Sequence, residues 1–170
     1  MEAAAASIGA LSLAMLPNWA GLAAAAFGLW LLILAALDLQ EYWLPDLLTL
    51  PLIPAGLIIA MLGIGPDLEA RLIGAGAGYA SLFLIAFAYK TLRGREGLGG
   101  GDPKLLAGIG AWLGWQQLPL VLVGAGLIGI LALLVTRLRG GKVDAAHRLP
   151  LGTLMALPAL LLWLTTVGGA

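Results

Sequence analysis

The chain has no cysteine and a single histidine among its 170 residues. The first absence excludes disulfides and a thiolate zinc site. His147 has no partner histidine and lies in a basic stretch, so a metal site is not expected there and a solvated loop position is. Charge is scarce: nine Lys and Arg balance nine Asp and Glu, and charged residues make up 11% of the chain against 61% hydrophobic. No basic run with interleaved aromatics is present, which argues against nucleic-acid binding. The N-terminus lacks the basic flank of a cleaved signal peptide.

What fills the chain instead is apolar sequence without interruption. Uncharged runs cover 3–37, 47–66, 72–89, 105–136 and 149–170. One helix needs about 20 such residues to cross a bilayer, so each run fits one or two crossings. The runs are continuous rather than alternating, which favours helices over a barrel. The expected fold is all-α: a polytopic transmembrane helical bundle of about six to seven membrane helices, forming one domain over 1–170.

The spans are expected at 3–16, closed by Pro17 and Asn18, then at 19–37, 47–64, 71–90, 104–115, 119–137 and 150–167. Pro51 and Pro54 should distort the first turn of the third. Gly74, Gly76 and Gly78 should bare one wall of the fourth, and Gly110 and Gly114 repeat the small-residue spacing that lets helices approach closely. The tryptophans are expected as interfacial anchors.

Basic residues cluster in two loops. Lys90, Arg93, Arg95 and Lys104 flank one, and Arg137, Arg139, Lys142 and Arg148 flank the other; Arg71 lies apart from both. The positive-inside rule puts both loops in the cytoplasm, with the turn at Pro66–Arg71 on the other side. Counting back along the spans puts the loop from Asp38 to Asp46 in the cytoplasm as well.

That loop and the Gly-rich stretch before Asp102 carry the acidic residues of interest. A carboxylate at the edge of a membrane span is a functional candidate, because charge there is costly. Each also has a plainer reading. Asp102, before Pro103, matches a helix N-cap, and Asp46, after Pro45, matches one better than it matches a catalytic group. Asp38 alone is an ordinary interfacial aspartate, Glu41 a solvated charge, and Lys104 either tunes the site or reaches for the interface. Gly99, Gly100 and Gly101 either turn the chain or admit a substrate backbone beside Asp102.

Taken together the two loops resemble the prepilin peptidase family, membrane aspartyl proteases with a Gly-x-Gly-Asp motif. The first pattern stands here as Asp38 followed by Leu44-Pro45-Asp46 and Thr49-Leu50-Pro51-Leu52. The second is Gly99-Gly100-Gly101-Asp102-Pro103-Lys104-Leu105-Leu106, continuing to Gly110 and Trp115, and a weaker echo is Pro150-Leu151-Gly152 at the opening of the last span. The likeness runs in order along nearly the whole chain. It implies a catalytic pair at Asp38 and Asp102, with Gly99, Gly100, Gly101, Lys104 and Asp46 shaping the site, and neither metal nor organic cofactor. It implies removal of the leader from type IV prepilins or type II secretion pseudopilins, after a Gly at the cytoplasmic face of the bacterial inner membrane. Many family members carry a cytoplasmic insert with paired Cys-x-x-Cys zinc ligands that goes with N-methylation. This chain has neither, so the resemblance implies the peptidase-only form, with methylation left to another protein.

Two other classes compete. A small transporter would use Asp38 and Asp102 as ion ligands, but should show symmetry between its halves, and none is visible. A non-catalytic subunit of a pilus or secretion machine would use the acidic loops for docking and tolerate Glu at both positions, which a protease pair should not.

Overall fold

The computed structural model describes residues 1–15, 18–94, 97–140 and 150–168. Among them are seven α-helices and no strand: α1 (Glu2–Met15), α2 (Asn18–Glu41), α3 (Asp46–Met61), α4 (Leu68–Arg93), α5 (Asp102–Leu113), α6 (Leu118–Leu138) and α7 (Leu151–Gly168). A short 3-10 turn, Trp115–Gln117, joins α5 to α6. The all-α reading and the helix number stand. α2, α4, α6 and α7 are long and apolar enough to cross a membrane, while α3 is apolar but shorter. Pro17, Arg95, Lys142, His147 and Arg148, to which the sequence assigned a helix end or loop charges, lie outside the described residues.

Helix boundaries follow local chemistry. α4 starts where the Asp67 carboxylate accepts the Ala70 N–H at 3.1 Å, an N-cap that satisfies one orphan donor. It ends at Gly94, whose φ of 68° places it in the left-handed region that glycine enters without penalty. α2 runs past Asp38 to Glu41, so Asp38 belongs to its last turn rather than terminating it. Pro51 and Pro54 lie inside α3 without ending it.

α5 is the centre of the bundle. Every residue from Leu105 to Leu113 is buried, because α5 packs against α3, α4 and α7 at once. The close approach rests on glycine. A Cβ at Gly78 would lie 2.6 Å from the Leu106 carbonyl oxygen, and one at Gly56 would lie 2.5 Å from the Ala111 oxygen. Gly74 and Gly110 face each other so directly that either Cβ would overlap the other's carbonyl. The expectation for Gly74, Gly78 and Gly110 is met. Gly76, about 200° around the helix from Gly74, has open space beside it. Gly114 is not a packing residue of this kind. It takes φ 77° at the end of α5, a conformation that side chains resist.

The tryptophans divide. Trp19, Trp43 and Trp115 are exposed, but Trp112 and Trp163 are buried, which corrects their expected role as anchors. They form an aromatic core with Phe27: Phe27 stacks on Trp112 at 4.5 Å between ring centroids, and Trp163 meets Trp112 edge-on at 5.3 Å. Each indole at the α3 contact finds a polar partner, as buried Trp requires. Trp112 donates to the Leu52 carbonyl and Trp30 to the Leu48 carbonyl, both at 3.0 Å.

Candidate active site

Asp38 and Asp102 are separated by 63 intervening positions in sequence, yet both are buried, at 5% and 7% exposure. Three helix ends bring them together. Asp38 comes from the last turn of α2, Asp102 opens α5, and the first turn of α7 lies against Asp38. Leu44 marks how close these parts are. A Cβ at Gly101 would lie 2.6 Å from the Leu44 Cβ, and a Cβ at Gly152 would lie 3.0 Å from the Leu44 Cδ1 and 2.9 Å from Asp38 Oδ2. Glycine at both positions lets these parts pack this closely.

Each carboxylate has few donors. Asp38 Oδ2 accepts the Thr153 N–H at 2.9 Å, with the Thr153 hydroxyl at 3.4 Å. Asp102 Oδ2 accepts the Gly99 N–H at 3.1 Å. An aspartate in such surroundings holds its proton more tightly. Burial first, and then the Asp38 charge, raises the pKa of Asp102 to about 6, with the Gly99 N–H working in the opposite direction. Two carboxylates that feel one another do not both ionise readily, so the pair gives up its last proton at a higher pH than a lone aspartate would. That is the electrostatic condition for one group to accept a proton while the other supplies one.

The remaining residues named from sequence fall into place around the pair. Gly101 sits at the N-cap of α5 and Asp102 is its first residue, followed by Pro103, so Asp102 does not cap this helix. Its carboxylate turns back to Gly99 instead. Asp46 is likewise the first residue of α3, after an N-cap at Pro45 that lacks a side-chain bond. The capping role expected for Asp46 is therefore replaced by an ion pair, Lys104 Nζ to Asp46 Oδ1 at 2.5 Å. The bond ties the first turn of α3 to the first turn of α5, and it answers both alternatives for Lys104. Gly99 lies beside the Asp102 carboxylate, whereas Gly100 has no neighbour within 4 Å of where a Cβ would stand. Glu41 is exposed. No cluster of three or more metal-ligating side chains occurs among the described residues.

Two participants were not singled out from sequence. Thr153 was passed over because threonine in an apolar run carries no signal of its own. Arg71 was noted only as a charge outside the basic loops. Its guanidinium is fully buried at the other end of the bundle, donating to Pro66 O at 2.9 Å, Gly56 O at 2.7 Å and Ile64 O, and lying 5.2 Å from the Trp163 ring centroid. The available signal was its place three residues into a membrane-length helix, where a cation demands partners.

The model of the type IV leader peptidase family matches residues 25–134. That stretch holds Asp38, Asp46, Asp102 and Lys104. The chain is 48% identical over 138 residues to a prepilin leader peptidase/N-methyltransferase of Burkholderia pseudomallei (strain K96243), covering 80% of this chain and 44% of that protein. It is 47% identical over 120 residues to one of Aeromonas hydrophila, covering 71% of this chain and 41% of the other. A third, from Dickeya chrysanthemi, is 44% identical over 137 residues, covering 80% and 48%. The chain thus spans a little under half the length of these relatives. No solved structure matches it.

Proposed function

The chain belongs to the type IV leader peptidase family, and from that premise we propose that it is an aspartic-type endopeptidase working through Asp38 and Asp102. The observation that carries this reading is the pair itself: two buried carboxylates, from helices distant in sequence, close enough that the charge on Asp38 adds to burial in raising the pKa of Asp102. The substrates are the leaders of type IV prepilins or type II secretion pseudopilins. The pair lies at the cytoplasmic face of the bacterial inner membrane, in a single transmembrane peptidase domain.

The reaction is hydrolysis of one amide. A water molecule seated between the carboxylates gives a proton to the ionised aspartate as its oxygen attacks the scissile carbonyl. The neutral aspartate passes its proton to the carbonyl oxygen, giving a tetrahedral diol. On collapse one diol hydroxyl gives its proton to the aspartate that is now ionised as the C=O re-forms, and the leaving nitrogen takes the proton held by the other aspartate. Neither a metal nor an organic cofactor is needed for these steps. Gly100, with open space where a Cβ would stand, leaves backbone room for an extended substrate segment near Asp102, while Gly99 and Gly101 let the loop close on the Asp102 carboxylate and on Leu44. The Asp46–Lys104 pair fixes the spacing of the two loops.

Co-expression with candidate precursors, reading leader loss by gel shift, tests the proposal. The wild type should shorten a precursor. Asp38→Asn and Asp102→Asn should each leave it uncut while remaining in the membrane. Full cleavage by either variant would end the assignment of the pair.

A further inference from the structure

α7 begins at Leu151, beyond the 25–134 stretch that the family model matches, yet its first turn makes the closest polar contact to Asp38. Thr153 contributes three links there. Its N–H donates to Asp38 Oδ2 at 2.9 Å, its hydroxyl donates to the Ala35 carbonyl at 2.8 Å, and the hydroxyl stands 3.4 Å from the same Oδ2. Ala35 lies one turn before Asp38 on α2. The threonine therefore fixes both the carboxylate and the helix turn that carries it.

Asp38 needs such help. It sits in the last turn of α2, where helix carbonyls disfavour an anion, whereas the free N–H groups at the start of α7 favour one. Gly152 lets the two helices meet: a Cβ there would lie 2.9 Å from Asp38 Oδ2 and 3.1 Å from Leu105 Cδ2. Among the described residues, the other charged groups around this end do not supply a donor in its place. On α5, Asp102 is acidic and Lys104 is engaged with Asp46 of α3. On α2 the neighbour is the exposed Glu41, and α7 carries no titratable side chain.

We propose that Thr153 is a positioning residue that holds the Asp38 carboxylate in place to take the proton of the attacking water, leaving Asp102 to supply one to the carbonyl. This rests on the peptidase reading above, and it adds which carboxylate plays which part and what decides it.

The test uses the full chain in proteoliposomes, titrating its carboxyl bands by infrared difference spectroscopy, with Asp38→Asn to identify the Asp38 signal. Cleavage of a precursor whose leader ends in Gly before an apolar segment is followed in parallel. Thr153→Pro removes the N–H that Asp38 accepts, in a first helical turn where proline is tolerated. It should shift the Asp38 carboxyl band and its titration, and the acid limb of kcat/KM should move with them. Thr153→Val keeps that N–H and loses only the hydroxyl, whose proton goes to Ala35, so it should move both less, and Thr153→Ser should leave both as in the wild type. Gly152→Ala, which pushes on the carboxylate itself, should also shift them. An Asp38 titration unchanged in both Thr153→Pro and Gly152→Ala overturns the proposal, whether or not cleavage falls. A shift in that titration in a chain that cuts no leader would uphold the Thr153–Asp38 link and reject the peptidase reading, so the two fail separately.

Discussion

At one end of the bundle the Arg71 guanidinium is fully enclosed and donates to three backbone carbonyls while a tryptophan ring covers it. At the other end Asp38 and Asp102 are almost as enclosed, but among the described residues each carboxylate meets a single backbone N–H, with one more distant hydroxyl beside Asp38. Both arrangements bury charge, which is expensive without partners. The cation is satisfied by groups that cannot leave, so it fastens the turn between α3 and α4 to α7. The carboxylates keep acceptor capacity, and the Asp38 charge adds to burial in raising the pKa of Asp102. Saturated polar contacts hold a fold together, and unsaturated ones are available for chemistry.

The largest effects should separate the two ends by function. Asp38→Asn and Asp102→Asn should each lower cleavage by at least about 10²–10⁴-fold, the range of a lost general acid or base. Neither should destabilise the fold, since each removes the repulsion within the pair. Arg71→Met should do the reverse. Three carbonyls lose their donor, and unfolding in detergent should become easier by about 3 kcal/mol, while cleavage per folded molecule is retained. If Arg71→Met abolished cleavage in a protein that melts like the wild type, the division between the ends would be wrong.

The packing of α5 gives a comparison of the same kind on a smaller scale. Gly78→Ala forces a Cβ to 2.6 Å from the Leu106 oxygen, and should cost about 1–3 kcal/mol as overpacking. Gly76→Ala, on the open side of the same helix, should be neutral or slightly stabilising. Thermal unfolding of the two variants side by side checks this.

A pH series sharpens the electrostatic side. The pKa of Asp102 in the fold is raised to about 6 from an ordinary value of 3.8. The stability it contributes is therefore fully present below pH 3.8 and is lost as pH rises through about 6. Wild type should lose stability across this window relative to Asp102→Asn, which carries no proton to lose. The smallest effect is expected at Lys104→Met. The Asp46–Lys104 pair is partly exposed, at 29% and 56% of the two side chains, so its loss should change stability by about 0.2–1 kcal/mol. A larger fall in cleavage than in stability would mark the pair as a spacer for the two loops.

Much of this was legible in the chain. Long uncharged runs gave the helices and their number, because a bilayer-length apolar run has few other stable forms. Asp38 and Asp102 stood out because charge is rare here and each lies in a long ordered motif. Other features were opaque for a shared reason. Trp112 and Trp163 have the same sequence surroundings as exposed tryptophans, and only the crossing of α5, α3 and α7 buries them. Gly76 repeats the spacing of its neighbours but faces away, since helical rotation rather than sequence order decides which glycines meet another backbone. Asp46 and Asp102 matched caps by position and are not caps: each is the first residue of its helix, and its carboxylate meets Lys104 in one case and the Gly99 N–H in the other.

Sequence by itself determined that the chain is a helical membrane bundle with two acidic loops, since hydropathy and charge are properties of a segment and need no partner to act. Tertiary structure alone decided that the loops meet, that Arg71 is enclosed, that Lys104 joins Asp46 and that Thr153 reaches Asp38. These are contacts between segments far apart in the chain, and a contact's energy exists only once packing has set its distance and removed its water.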